Sequence, residues 1–151
     1  GLFWDAPQPA EHCLGYRVRE YTASLRGLSL LARLGWKQAC EKTPIRINGA
    51  DFQRPDSCQS RLLFGGMRGV WAVEDASCAA YWDKFVDKGC VVKGIRLIQS
   101  RIQGVKFSED KEKICTSTPA TIRGVFYQRP HGCQDGFWGL YGQWRVVDQK
   151  C

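Results

Sequence analysis

Eight cysteines are the residues of this chain whose type and spacing most directly imply chemistry. They stand at Cys13, Cys40, Cys58 and Cys78, then at Cys90, Cys115, Cys133 and Cys151. The gaps are 26, 17 and 19 residues in the first set and 24, 17 and 17 in the second, with 11 residues between the sets. Zinc binding would call for a Cys-x-x-Cys pair or clustered histidines, and the chain offers only His12 and His131. Two equal sets of four point instead to disulfides and an oxidising compartment. Four cysteines allow three pairings. The constant middle gap favours Cys40–Cys58 and Cys115–Cys133, with Cys13–Cys78 and Cys90–Cys151 as the outer ties. Each bridge is worth roughly 2–4 kcal/mol, mainly through the unfolded state. With all eight cysteines paired, no nucleophilic thiol is expected, and no metal or cofactor.

Other side chains admit catalysis or recognition. His12 and His131 could serve as an acid–base pair for RNA cleavage, with Arg129 or Lys88 as the cation. Asp5, Asp75, Asp83 and Asp148 recur beside tryptophan or near cysteine, and paired carboxylates can hydrolyse glycosides. Two Gln-Arg-Pro tripeptides, Gln53-Arg54-Pro55 and Gln128-Arg129-Pro130, are the better recognition candidates. An arginine held between a rigid proline and a disulfide loop can grip an anion or a sugar hydroxyl bidentately. Trp138 and Tyr141, in the aromatic and glycine-rich run 136–142, suit a loop that stacks on a sugar or a partner.

These residues sit in a sequence that repeats. The segment 40–58 returns as 115–133, sharing Thr-Pro, Ile-x-Gly and Gln-Arg-Pro at matched places. Phe3-Trp4-Asp5 matches Tyr81-Trp82-Asp83, Arg19 matches Arg96, and residues 69–75 match 142–148. Neither histidine is shared: His12 aligns with Gly89 and His131 with Asp56, so the repeated framework contains no repeated acid–base pair. A repeat of about 75 residues constrains architecture more than propensity does. We expect a single compact domain over 1–151 made of two repeats, 3–78 and 81–151, each with too little core to stand alone.

Each copy reads as strand, short helix, strand, strand. Residues 16–25 and 91–105 read as the first strands. The helices are expected over 31–41 and from Ser108 as N-cap, and Pro44 and Pro119 stop them. Residues 45–52 and 120–127 read as strands in which Gly49 and Gly124 mark bulges. Trp71 and Trp144 belong to closing strands. The expected fold class is therefore α+β: an internally duplicated, disulfide-rich domain of two βαββ units related by a pseudo-two-fold, with an antiparallel sheet and short helices. A double all-β sandwich is the alternative if the helices are shorter, and two repeats disfavour a threefold trefoil.

Composition narrows the partners. Hydrophobic residues make up 44% and charged residues 25%, a globular balance. The net charge of +7 favours anionic surfaces, yet Lys and Arg are scattered and no nucleic-acid motif is present. No apolar run is long enough for a membrane span. The only asparagine, Asn48, precedes Gly49 and Ala50 and forms no sequon. Gly1 reads as the start of a mature form after removal of a leader. Oligomeric state is not encoded in any of these features.

Ala39-Cys40-Glu41-Lys42-Thr43-Pro44, Thr118-Pro119-Ala120-Thr121-Ile122 and Gly-x-Trp-x-Val near each repeat end form a set. Together with the run 136–144 it resembles the small secreted cysteine-rich proteins of mushroom-forming fungi. The resemblance implies secretion and a fungal source. That family carries no assigned activity, so it assigns no site. The first copy departs from the aromatic–glycine form at 62–66. The expected function is thus a secreted, non-enzymatic binding or defence protein, lectin-like, facing an extracellular glycan or protein surface. A protease inhibitor or protein-directed effector is the second reading, and a small secreted hydrolase such as a ribonuclease the third.

Overall fold

The computed structural model describes residues 1–27, 35–61 and 66–151. They form a disulfide-rich arrangement of antiparallel sheets with two short helices among the described residues. The chain divides into two compact units, Gly1–Glu11 with Arg19–Glu74 and His12–Val18 with Asp75–Cys151.

In the first unit the strands are β1 (Phe3–Trp4), β2 (Gln8–Gly15, which passes into the second unit), β3 (Val18–Arg26), β4 (Ile45–Ile47), β5 (Ala50–Phe52), β6 (Ser57–Ser60) and β7 (Met67–Glu74). The one described helix is α1 (Trp36–Cys40). Sheet order is β1-β3-β7-β6, with β2 also on β3 and the hairpin β4–β5 apart. Along β7 the side chains alternate inward and outward, as a strand with one covered face must. Met67, Trp71 and Val73 point in, and Trp71 is wholly buried. They pack with Ala23, Leu25, Ile47 and Cys40.

The second unit holds β8 (Tyr81–Trp82), β9 (Val86–Val92), β10 (Ile95–Gln103), α2 (Lys111–Ser117), β11 (Ala120–Ile122), β12 (Val125–Tyr127), β13 (Gly132–Gly136) and β14 (Gly139–Val147). The long strand β10 pairs with β14 on one side, Arg96 facing Val146 and Arg101 facing Tyr141. On its other side β9 covers its start and β8 its end. Ile98, Ile102, Leu140, Trp144 and Val146 line the buried face with Ile114 and Cys115 from α2.

The bridges are Cys13–Cys78, Cys40–Cys58, Cys90–Cys151 and Cys115–Cys133, a nested pair of pairs, and no cysteine is free. Cys40 and Cys115 are wholly buried, so the inner bridges also fill core volume.

Several local expectations change. Gly49 and Gly124 do not mark bulges. Asn48 and Gly49 have φ of 50° and 80°, Arg123 and Gly124 have 51° and 78°, and each pair is the two-residue turn of a hairpin. Two consecutive positive φ values match the right-handed twist of paired strands. The strands expected over 16–25 and 91–105 are each broken by a turn, at Arg17 (φ 58°) and at Gly94 (φ 80°), into β2–β3 and β9–β10. Strands therefore outnumber the expected three per copy. The N-cap of α2 is Asp110, whose carboxylate accepts the Lys113 amide; Ser108 instead bonds His12. The helix ends at Ser117 because Thr118, before Pro119, is extended. Of the helix expected over 31–41, residues 31–34 lie outside the described residues, as do 62–65 of the first copy's loop.

Candidate functional site

β13 and β14 form a hairpin in which Gly136 faces Gly139, leaving Phe137 and Trp138 as its two-residue turn. A turn this tight pushes both side chains outward. Phe137 is 88% exposed and Trp138 72%, and they meet edge to face at 4.7 Å. Glycine is needed on both sides. Gly139 has φ of 149°, and a Cβ there would meet Arg101 Cδ at 3.1 Å. A Cβ at Gly136 would meet the Tyr141 ring at 2.5 Å, so the ring lies directly on the glycine backbone.

The alternation of β14 puts Tyr141 on the face opposite Leu140, Gly142 and Trp144. Arg101 lies across from it on β10. Arg101 Nη1 donates to the Trp138 carbonyl at 3.0 Å, and Nη2 stands 4.0 Å from Asp83 Oδ2. Asp83 is set by its own backbone. Its amide donates to the Arg101 carbonyl at 3.0 Å, its carbonyl accepts the buried Ser100 hydroxyl at 2.7 Å, and its Oδ1 accepts the Lys84 amide at 2.9 Å. Asp83, Lys84, Val86, Ser100, Arg101, Trp138 and Tyr141 enclose a cleft of about 290 Å³. It has an aromatic wall, a carboxylate, a guanidinium and an ammonium.

Trp138 and Tyr141 are thus brought together, and Asp83 joins them. Gln53, Arg54, Gln128 and Arg129 are not part of this cleft. All four are exposed, and none makes a hydrogen bond or ion pair among the described residues, while Pro55 and Pro130 beside them are buried. Sequence reading missed Arg101, Lys84 and Ser100. The available signal was the two-residue period of β10, which puts Arg101 on the face opposite Ile98, Ser100 and Ile102.

The histidines occupy different environments. His12 Nε2 lies 2.9 Å from Ser108 Oγ. His131 Nδ1 accepts the Arg145 amide at 3.0 Å, and its ring packs edge-on to Tyr127. That bond keeps the proton of neutral His131 on Nε2. No contact joins the two imidazoles among the described residues.

Two further carboxylates of the second unit, Asp87 and Asp148, are tied to arginines. Arg96 Nε donates to Asp148 at 2.7 Å and its Nη1 to Asp87 at 3.1 Å; Arg123 lies 3.4 Å from Asp87 and 3.7 Å from Asp148. The hydrogen bond from Arg96 holds the Asp148 carboxyl below its ordinary range. The Gly89 amide does so first for Asp87, with Arg96 adding to it. Glu109 is buried, its oxygens accepting the Lys106 and Cys13 amides. Among the described residues no cluster of His, Cys, Asp and Glu could hold a metal ion, and no helix is long and apolar enough to cross a membrane.

No family model, curated protein or solved structure matches this chain.

Proposed function

We propose that this is an extracellular, non-enzymatic glycan-binding protein whose sugar seats in the cleft of Trp138, Tyr141, Arg101 and Asp83. The observation that carries it is the combination at that cleft. An exposed indole presents a flat face for the apolar side of a sugar ring. The carboxylate, guanidinium and ammonium around it can pair with hydroxyls. Four disulfides fit an oxidising, extracellular setting.

The non-enzymatic part rests on how the titratable groups are employed. Asp87 and Asp148 are bound by arginines, Glu109 by backbone amides, and His131 by a backbone amide. The buried prolines of the Gln-Arg-Pro loops weigh against insertion of those loops into a protease cleft.

We read the chain as a duplicated unit related by a pseudo-two-fold. Matched details support this. Trp4 meets Trp71 edge-on at 4.8 Å and Trp82 meets Trp144 at 4.7 Å. The Trp4 and Trp82 indoles donate to the Thr43 and Pro119 carbonyls, both at 2.9 Å. The inner bridges both span 18 residues.

A glycan array with polysaccharide pull-downs tests the function. Retention on at least one glycan is expected, weakened on the order of tenfold or more in Trp138→Ala with an unchanged melting temperature. A folded protein that binds no glycan, or a Trp138→Ala variant that binds as well as the parent, overturns the reading.

A further inference from the structure

The first unit has a cleft of its own, about 370 Å³, lined by Asp5, Gln8, Thr22, Ser24, Arg61 and Arg68 with two alanines. No aromatic ring lines it, so stacking is not its mode of recognition. Its charges are unbalanced. The carboxylate of Asp5 is committed, Oδ1 accepting the Ser24 amide at 2.7 Å and Oδ2 the Arg26 guanidinium at 3.1 Å. The two lining arginines have only neutral partners. Arg61 Nη1 donates to Ser24 Oγ at 3.1 Å, and Arg68 Nη2 to Gln59 Oε1 at 2.9 Å. Neither meets a carboxylate among the described residues. A guanidinium has five N–H donors, so a single neutral bond leaves most of each fork open.

The two cations converge through the fold. Arg68 projects from β7 and Arg61 follows β6, with the Gln59–Arg68 and Ser60–Met67 pairs bringing the strands together. Each guanidinium is held by one hydrogen bond, to Ser24 and to Gln59, which lowers the entropy cost of presenting both charges to one ligand. Planar forks of this kind suit the paired oxygens of a carboxylate or a sulfate. The hydroxyls of Thr22 and Ser24 and the amide of Gln8 add donors and acceptors for a polar ring.

We propose that this cleft binds the anionic substituent of an acidic sugar, a sulfate ester or a uronate carboxylate, as a site chemically distinct from the aromatic cleft of the second unit. The intact chain is titrated with sulfated galactose, glucuronic acid, plain galactose and inorganic sulfate at constant ionic strength, followed by amide NMR shifts and calorimetry. Saturable binding of one or both charged sugars is expected, with shifts at Ser24, Arg61 and Arg68 and none with galactose; which sugar binds identifies the anion. Arg61→Gln and Arg68→Gln should each weaken it about tenfold. Arg61→Lys, which keeps the charge and loses the fork, should fall between parent and Arg61→Gln. Trp138→Ala should leave it unchanged, so failure here is separable from failure at the aromatic cleft. Equal shifts of Ser24, Arg61 and Arg68 with galactose, binding of inorganic sulfate alone, undiminished shifts in the glutamine variants, or no saturation at these residues would each overturn the proposal.

Discussion

The indole of Trp82 stands edge-on to that of Trp144, centroids 4.7 Å apart and planes at 83°, yet the two N–H groups meet different fates. Trp82 Nε1 donates to the Pro119 carbonyl at 2.9 Å, while Trp144 Nε1 is buried with no hydrogen-bond partner among the described residues. Trp144 is the more buried ring, so burial alone ranks it as the costlier to trim. Hydrogen bonding argues the other way. Trp144→Phe removes an orphaned donor, whereas Trp82→Phe orphans a carbonyl, a difference of about 1 kcal/mol or more. We expect urea denaturation to find Trp82→Phe the less stable variant. The reverse order would mean that lost ring volume outweighs the hydrogen bond.

Gly142 cannot gain a methyl group without displacing rings. A Cβ there would lie 2.5 Å from Trp82 and 2.9 Å from Trp144; at Gly69 it would lie 2.6 Å from Trp71 and 2.8 Å from Trp4. Gly142→Ala and Gly69→Ala should each destabilise by roughly 1–3 kcal/mol through overpacking. Comparable losses in the two variants are expected because the clash distances nearly match. A variant as stable as the parent would show that the indoles can shift freely.

Acid should loosen the second unit. Asp87 and Asp148 have folded pKa values below their unfolded ones. The stability they supply is therefore fully present above the unfolded value, about pH 4, and is lost as pH falls from there through the folded values. Arg96, raised chiefly by its bond to Asp148, stays charged throughout. Melting temperature measured from neutral to strongly acid solution should fall more steeply for the parent than for Asp148→Asn. The variant should be the weaker of the two at neutral pH. Parallel curves would remove Asp148 from the account of acid sensitivity.

Removing the Cys90–Cys151 bridge by double alanine substitution frees a loop of sequence separation 61, worth about 4 kcal/mol of chain entropy. Removing Cys115–Cys133, with separation 18, frees less entropy but also empties a wholly buried position. We expect the second variant to lose at least as much stability as the first, through packing. A clear loss only in the Cys90–Cys151 variant would favour the loop-length term. Non-reducing peptide mapping should find no free thiol in the parent.

The sequence made the closing strands legible through Trp71 and Trp144, because a strand with one buried face alternates visibly. It made the stop of α2 legible through Thr118-Pro119, a steric signal. The hairpin turns were harder. Asn48-Gly49 is a recognisable turn pair, but its short flanking strands of three residues each gave too little pattern to distinguish a turn from a bulge. Arg123-Gly124 hides further, since arginine has no preference for positive φ. Most of β9, residues 86–90, went unread because its residues are almost all exposed, leaving no alternation to follow. At the aromatic cleft the rings were found by type, while Arg101 and Asp83 come from separate strands and only pairing unites them. Arg61 and Arg68 carry no local sign of a shared cleft for the same reason.

The seam between the sequence repeats is not the seam between the folded units. The tip of the first copy's hairpin, residues 12–18, belongs to the unit formed by Asp75–Cys151. There Cys13 supplies an amide to the Glu109 carboxylate, and Tyr16 supplies one to the Ser117 hydroxyl. A fragment of residues 81–151, cut at the repeat boundary, would leave the buried Glu109 carboxylate without the Cys13 amide and Ser117 without the Tyr16 amide. The stretch before residue 79 is therefore expected to supply part of what the second unit needs to fold, so neither sequence half is a self-sufficient module.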